Sequence, residues 1–495
     1  MKRTHRLITM LLLFALLLSG CGTGTAETGA AETSEPTAAE QETPETETEA
    51  AAYRDSVPEM TFDGKEFVFL TREFDGNGYW GNMEFDAEEM NAEAINDAVF
   101  NRNSRIEERF DITISEIRTE PADQSARLAN SVASADDAYD CVSIRMDMAA
   151  NNALSGNLLD FSELQYIDLS NPWWDSEMNA HHTLAKKQYY ATGDMTLIDK
   201  EATYLVMFNK DVASEHSVED LYALVENGSW TVDKMLEICE TLTNDLNGDG
   251  NYTIDDRYGM VSDNGALQLA MYYSLGGTFT QKNADDIPEL SIDMDRAVRA
   301  IEKSQELNHS PYVMKAETLQ QQGVANPWSD EGINGMFKEG RGLFYAISLT
   351  VMGKMRDMNS DFGVLPYPKL EESDKDYISY VSAIHGNTVS VPVTASDPAR
   401  TSAILEAMCC ESGNLLMPAY YDVTVTNKTM RDEKSAEMLE YIFSHRTFDS
   451  AMIYNWGGLH SMLQQIDSAD TFASSVQAAT KKAEYDIRKN YEKLN

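Results

Sequence analysis

The chain has 495 residues, with 82 Asp or Glu against 39 Lys or Arg, and a formal net charge of −43 at pH 7. So acidic a protein repels polyanions, which excludes nucleic acids and anionic lipid surfaces as partners. Solubility outside the cell is also sufficient to account for the charge. The length exceeds what one ordinary hydrophobic core organises, so we expect two lobes.

The N-terminal segment has the pattern of a secretory signal. Lys2, Arg3 and Arg6 precede an apolar run at 7–18, which is shorter than a membrane-spanning helix of about 20 residues. Small residues and then Cys21 follow, and this ending resembles the bacterial lipobox. The resemblance implies cleavage before Cys21 and lipid chains on its thiol and new amino group. The protein would then be anchored at the extracytoplasmic face of the cell membrane. The alternative is an ordinary signal followed by a chance cysteine.

A low-complexity spacer follows the 1–20 signal. Residues 22–52 are mostly Gly, Thr, Ala, Pro and Glu, with no aromatic residue, Lys or Arg. Such a segment buries too little apolar surface to offset its ordering entropy. We therefore expect 21–57 to be a disordered acidic tether.

Four further cysteines lack the spacing of a metal site or a disulfide framework. They are Cys141, Cys239, Cys409 and Cys410. The last two are adjacent and poorly placed for a normal disulfide. All four are predicted to be small buried hydrophobic residues.

The first part of the body alternates strands with helices. Apolar periodicity predicts strands at 66–71, 112–114 and 139–144, with helices at 95–110 and 122–134 between them. This order is typical of a parallel sheet covered by helices.

Two later apolar strands, 203–209 and 388–392, are predicted to cross between the lobes. Between them the pattern predicts a second α/β block, with helices at 218–226, 231–243 and 293–307 and strands at 258–262, 341–347 and 362–366. Helices at 396–411, 433–443 and about 468–491 follow. We assign 58–205 to the first lobe and 206–389 to the second, each with part of 390–495.

Several local motifs, in order, resemble one family of exported proteins. They are Ile-Asn-Asp-Ala-Val-Phe-Asn-Arg-Asn-Ser-Arg-Ile-Glu-Glu-Arg-Phe-Asp-Ile at 95–112, Asn-Pro-Trp-Trp-Asp at 171–175 with Gln-Tyr-Tyr-Ala-Thr-Gly-Asp at 188–194, Trp-Thr at 230–231, and Phe-Lys-Glu-Gly-Arg-Gly-Leu-Phe at 337–344. The chain resembles the family 1 extracellular solute-binding lipoproteins of ABC importers, which include maltose-binding protein. The resemblance implies a periplasmic-binding-protein-like fold, with two discontinuous α/β lobes joined by crossing strands and closing as a hinge.

An acidic loop at 245–256 matches the calcium-loop pattern, with Gly250 at the sharp turn. Its candidate ligands are Asp245, Asn247, Asp249, Asn251 and Asp256. The last position is Asp instead of Glu, which resembles dockerin-type loops. A structural Ca²⁺ is the first interpretation. The alternative is an Asx-rich turn without metal.

Aromatic side chains in loops are candidates for stacking on a sugar. Trp80 lies in a Gly-x-Gly-x-x-Gly loop after the first strand, where open α/β sheets bind ligands, although it could equally cap its own lobe. At most one of the adjacent Trp173 and Trp174 is expected to face a cleft. The remaining candidates are Trp328, Tyr345 and Trp456, and the family resemblance places an aromatic residue of the cleft near Tyr345.

Polar candidates come from two segments near strand ends. Arg145 and Asp147 follow the third strand, where the family's loop bonds its ligand, although a surface ion pair is the alternative. His385 precedes the second crossing strand and could line the hinge or be structural. A Gly-x-Ser-x-Gly elbow, a His-Glu-x-x-His pair and a P-loop are all missing from the sequence, so no catalytic set is predicted.

We therefore expect a membrane-anchored receptor. It would bind an extracellular solute, most simply an oligosaccharide, and deliver it to the transmembrane subunits of an ABC importer by hinge closure. The alternatives are an exported carbohydrate-active enzyme, a peptide or amino-acid receptor and an adhesive lipoprotein.

Overall fold

The computed structural model describes residues 52–425 and 433–494. The predicted signal, Cys21 and most of the spacer lie outside these residues. No helix within the described ranges is long and apolar enough to cross a membrane.

Strands and helices alternate along the described chain. The strands are β1 Lys65–Arg72, β2 Ile112–Thr119, β3 Cys141–Arg145, β4 Tyr204–Asn209, β5 Tyr258–Ser262, β6 Thr280–Lys282, β7 Pro288–Leu290, β8 Val313–Lys315, β9 Gly342–Ser348, β10 Phe362–Leu365, β11 Ser379–Tyr380, β12 Asn387–Ser390 and β13 Arg446–Thr447. The helices are α1 Ala94–Phe110, α2 Gln124–Ser134, α3 Met146–Leu154, α4 Ser176–His182, α5 Ile198–Glu201, α6 Lys210–Glu215, α7 Leu221–Glu226, α8 Val232–Leu242, α9 Asn264–Ser274, α10 Met294–Asn308, α11 Ala316–Gln321, α12 Ile333–Lys338, α13 Pro398–Val425, α14 Glu433–Ser444, α15 Ser450–Tyr454, α16 Leu459–Leu463 and α17 Ala469–Leu494. Short 3₁₀ helices lie at Phe161–Glu163, Leu349–Met355 and Trp456–Gly458.

The first sheet has the strand order β12-β3-β1-β2. β1 pairs in parallel with β2 and β3, as the alternating pattern predicts. β12 is antiparallel to β3, because the chain returns to this sheet from the opposite direction. Phe67 and Phe69 of β1 are fully buried, so this strand anchors the core of the sheet.

The second sheet has the order β10-β4-β9-β5-β8. β5 is parallel to β8 and β9, whereas β4 is antiparallel to β9 and β10. All six residues of β4 are buried. This explains the continuous apolar run in its sequence, because a strand covered on both faces does not alternate.

The chain passes between the two sheets more than once. It leaves the first sheet after β3, enters the second at β4, and returns at β12 after β10. The two strands expected to cross thus each belong to one sheet. Two small pairs, β6 with β7 and β11 with β13, complete the pairing among the described strands.

Helix α13 is much longer than its predicted range of 396–411. It packs against α1 and continues through Gly413 and Pro418. Beyond the predicted end, the buried residues are Leu416, Met417 and Tyr420. Their packing maintains the helix although Gly413 and Pro418 are weak helix formers.

Cys141, Cys239, Cys409 and Cys410 are free and buried. This confirms their prediction as small core residues. Burial also raises the pKa of the Cys410 thiol to about 12, which makes it unreactive at neutral pH.

Candidate ligand-binding cleft

A cavity of about 400 Å³ lies where strand ends of the two sheets meet. The loop after β1 forms one wall, and residues at or just after the ends of β5 and β9 form another. Six aromatic side chains line this central cavity: Tyr79, Trp80, Tyr204, Trp328, Tyr345 and Tyr380. The carboxyl ends of parallel strands are where α/β sheets usually bind ligands.

Trp80 is held by its backbone and by a stacked neighbour. Its φ of 57° lies in the left-handed region, which is rare for a bulky residue. Its indole stacks on the His385 ring, with centroids 4.2 Å apart and an interplanar angle of 6°. Only 9% of Trp80 is exposed. A strained, preorganised aromatic side chain is typical of a binding site.

His385 supports this stack as a neutral ring. Its Nδ1 lies 3.1 Å from the Ser382 hydroxyl, and its carbonyl accepts a hydrogen bond of 3.1 Å from Arg72 Nη1. Burial, together with the nearby Arg72 and Arg145 charges, lowers the pKa of His385 to about 3. The ring therefore carries no charge near neutral pH.

Asp263 and Trp328 form a second fixed point. Asp263 Oδ1 caps α9 by accepting from the Ala266 backbone N–H at 2.9 Å. Its Oδ2 accepts from Trp328 Nε1 at 2.8 Å. Nearby, the Tyr345 hydroxyl donates to Asn334 Oδ1 at 2.8 Å. These bonds orient two aromatic rings of the wall and leave acceptor capacity on the carboxylate.

Contacts also join the two sides of the cleft. The Tyr79 hydroxyl donates to the Trp328 carbonyl at 3.3 Å and accepts from Asn334 Nδ2 at 3.0 Å. Asn326 Nδ2 donates to Asn77 Oδ1 at 3.1 Å. We call these three bonds the cleft latch. They connect the β1 loop to the segment before and within α12, so the latch links elements of the two sheets.

Two further cavities adjoin the central one. A cavity of about 480 Å³ shares Tyr79, Trp80 and Thr350 with it. A third cavity of about 380 Å³ shares Tyr79 and Trp328 and contains Lys354. Tyr79 therefore borders all three cavities, and Trp80 borders the central cavity and the cavity of about 480 Å³.

The model of one protein family, described as bacterial extracellular solute-binding protein, matches residues 103–440. The chain belongs to this family. Membership confirms the family resemblance and implies an extracytoplasmic location. No curated protein matches the chain.

Solved structures share the fold of this solute-binding protein. An ABC substrate-binding protein from Listeria monocytogenes, in complex with cycloalternan, is 13% identical, with a TM-score of 0.54 over 85% of this chain and 99% of its own. The sugar-binding protein MalE of Xanthomonas citri is 11% identical, with a TM-score of 0.56 over 86% and 98%. A cyclo/maltodextrin-binding protein with maltotetraose is 12% identical, with a TM-score of 0.53 over 86% and 97%. These likenesses confirm the predicted two-lobe α/β fold.

The structure brings four of the candidate residues into the central cavity: Trp80, Trp328, Tyr345 and His385. Arg145 and Asp147 do not line it. They form a bidentate ion pair, with Nε–Oδ1 and Nη2–Oδ2 distances of 2.9 and 2.6 Å. This matches the alternative interpretation that the two residues pair with each other.

The structure differs from the prediction for Trp174 and Trp456, which lie in the core. Trp174 is 2% exposed and donates to Glu406 Oε2 at 2.8 Å, while Trp173 donates to Oε1 at 3.1 Å. Trp456 is 1% exposed and stacks on Tyr454, with centroids 4.9 Å apart. The adjacent Gly457 allows α17 to pack closely, because a Cβ at this position would lie 2.9 Å from the Ala479 carbonyl oxygen.

The lining residues that sequence reasoning missed include Tyr79, Tyr204, Asp263 and Tyr380. Asp263 could have been found, because it directly follows the predicted strand 258–262. Tyr79 adjoins Trp80 in the same loop. Tyr204 and Tyr380 gave no signal, because their Thr203–Val381 neighbourhood forms only in the folded chain.

The 245–256 loop is held by bonds between its own side chains and backbone. Asp245 accepts from the N–H groups of Gly248 and Gly250 at 2.6 and 2.8 Å. Asp256 is fully buried and accepts from Leu246 and Thr253 at 3.0 and 2.8 Å. Among the described residues, no group of three or more His, Cys, Asp or Glu could hold a metal ion. This geometry is that of an Asx-rich turn, and calcium stays a prediction.

Proposed function

We propose that this solute-binding protein binds an oligosaccharide in the central cavity and delivers it to an ABC importer. The observation that carries the proposal is the lining, in which six aromatic rings accompany carboxylate, hydroxyl and amide groups. Aromatic faces match the C–H faces of sugars, and the polar groups match their hydroxyls. Fold relatives crystallised with cycloalternan and maltotetraose support this choice of ligand class.

Isothermal titration with maltotetraose, cycloalternan, amino acids and short peptides tests the proposal. We expect one saccharide to bind without being consumed, and Trp80→Ala to weaken its binding at least about tenfold, because a stacking platform is lost. Tyr252→Ala is the matched control, since Tyr252 is 49% exposed and lies outside the cavity.

Two results would contradict the receptor function. Release of shorter saccharides would indicate a carbohydrate-active enzyme. Binding of a peptide or amino acid in place of every saccharide would indicate a receptor of another class.

We propose that a lipid on Cys21 keeps the receptor at the membrane beside its importer. The acidic spacer would hold the folded body within reach, which raises its effective concentration at the importer. Cys21→Ser should move the protein from the membrane fraction to the medium, whereas Cys239→Ser, a change at a buried cysteine, should not. Equal membrane retention of both variants would overturn the anchor.

The calcium prediction has its own test. If the loop binds Ca²⁺, a chelator lowers the melting temperature of the wild type but not of Asp249→Ala. If the chelator changes neither protein, the loop is a turn held by its own hydrogen bonds.

A further inference from the structure

The charged side chains that line the central cavity are all negative. Its described lining residues include the carboxylates of Asp75 and Asp263 but no Lys or Arg. His385, which stacks on Trp80 and lines the cavity, is neutral near pH 7. A solute entering this space therefore meets two negative groups and aromatic faces.

Neither carboxylate is neutralised by an ion pair among the described residues. Asp75 Oδ1 accepts from the backbone N–H groups of Asn77 and Tyr79 at 3.0 and 2.8 Å, which orients the β1 loop. Arg72 interacts electrostatically with Asp75 and donates to the His385 carbonyl, although it does not line the cavity.

Of the two carboxylates, Asp263 is the better placed to bind a cation. Its bond to Trp328 Nε1 puts the carboxylate beside an aromatic ring, and Tyr204 and Tyr345 line the same space. A cation is favoured by both kinds of group, through Coulomb attraction to the carboxylate and through cation–π attraction to the rings. An anionic sugar is disfavoured by both.

We propose that the central cavity takes the amine-bearing unit of a cationic saccharide, with its ammonium group between Asp263 and the surrounding aromatic rings. The inference rests on the proposed function and narrows its ligand class. An uncharged sugar leaves the carboxylates without a counter-charge. A sugar with a carboxylate, phosphate or sulfate group adds repulsion.

The test measures the affinity of hexosamines of gluco, galacto and manno configuration beside their N-acetyl forms and parent hexoses. We expect at least one amine to bind about tenfold or more tightly than its two neutral counterparts, with the preference shrinking as salt is added. Asp263→Asn should abolish the preference, so that the amine and its neutral counterparts bind with similar affinity, because the charge that distinguishes them is removed. The readout is this ratio of affinities, since Asn also lacks the second oxygen that accepts from Trp328 Nε1 and the variant weakens all of the sugars alike.

Asn is a good helix N-cap, so Asp263→Asn keeps the start of α9 intact. Asp293→Asn is the matched control, because Asp293 caps α10 in the same way and does not line the cavity. Neutral sugars that bind as well as the amines would overturn this inference and leave the proposed function standing. Retention of the amine preference in Asp263→Asn would overturn the role of Asp263. If no hexosamine binds while maltotetraose or cycloalternan does, this inference is overturned and the proposed function stands. If none of these saccharides binds, both proposals are overturned.

Discussion

Glu406 holds both Trp173 and Trp174 in the core, whereas the sequence analysis allowed one of them to face the cleft. This residue is 1% exposed, and its two oxygens accept from Trp173, Trp174 and the Asn171 side chain. Burial raises the pKa of Glu406, while the hydrogen bonds from Trp174 and Asn171 oppose the shift. One side chain thus satisfies two buried indole N–H groups, which explains why neither ring turns to the cleft.

Replacing Glu406 should therefore reduce stability without touching the ligand. Glu406→Ala leaves several buried donors unpaired, and we expect a loss of about 3 kcal/mol or more in the free energy of unfolding. Glu406→Gln keeps one acceptor oxygen and should lose less. Urea denaturation measures both. Equal stability of the alanine variant and the wild type would contradict this role.

His460 gives stability a defined pH dependence. Burial lowers its pKa to about 4, below the value of about 6.5 in an unfolded chain. As the pH falls from about 6.5, the His460 imidazole binds a proton in the unfolded chain but stays neutral in the folded protein. The free energy of unfolding therefore decreases. Burial has the opposite effect on Asp194 and Glu201 and raises their pKa values to about 7 and about 8. The folded protein keeps these two carboxyl groups protonated at pH values where the unfolded chain has lost the protons, so their contribution to the free energy of unfolding decreases as the pH rises.

A comparison of two pH profiles isolates the histidine from the carboxylates. Between pH 6.5 and 4.5 we expect the wild type to lose up to about 1.4 kcal/mol per pH unit more than His460→Gln, since one protonation is removed. The difference should vanish above pH 7. Parallel profiles over the whole range would show that His460 is not protonated differently in the two states.

Among the elements, the β1 loop and the segment leading into α12 carry the cleft latch. The Tyr79 hydroxyl contacts Trp328 and Asn334 in this latch. Tyr79→Phe keeps the ring in the wall but removes both hydrogen bonds, so a closed complex should open more easily. We expect the ligand dissociation rate to rise about five- to tenfold, with little change in association. Stopped-flow tryptophan fluorescence measures both rates, and Tyr252→Phe is the control. An unchanged dissociation rate would contradict the latch.

The sequence was most informative about the positions of strands and helices. The apolar run within 66–71 predicted β1 within one residue at each end, because the pattern reflects burial of that segment alone. The end of α13 was missed by contrast, since Leu416 and Tyr420 sustain the helix by contacts distant in sequence. The cleft follows the same rule. Trp80 stood out in a glycine-rich loop after a strand. Tyr204 and Tyr380 meet beside the isolated Thr203–Val381 bridge, which no local pattern reveals.

At the scale of the whole molecule, the ligand site lies between elements that belong to different sheets. Tyr79 and Trp80 follow a strand of the first sheet, while Tyr204 and Tyr345 lie on strands of the second. A ligand touching both sets favours the state in which they are close. Under the proposed function, binding energy is converted into closure of the cleft.

Closure of the cleft predicts a specific pattern of amide hydrogen exchange. On saturation with the proposed saccharide ligand, residues 75–80 and 326–334 should exchange more slowly together, because both sides of the latch lose solvent access and local opening. The 245–256 loop lies outside the central cavity and should not change. In Tyr79→Phe the protection should be smaller at equal ligand saturation, since two latch bonds are missing. Protection confined to the β1 loop would mean that the ligand binds one side of the cleft without closing it.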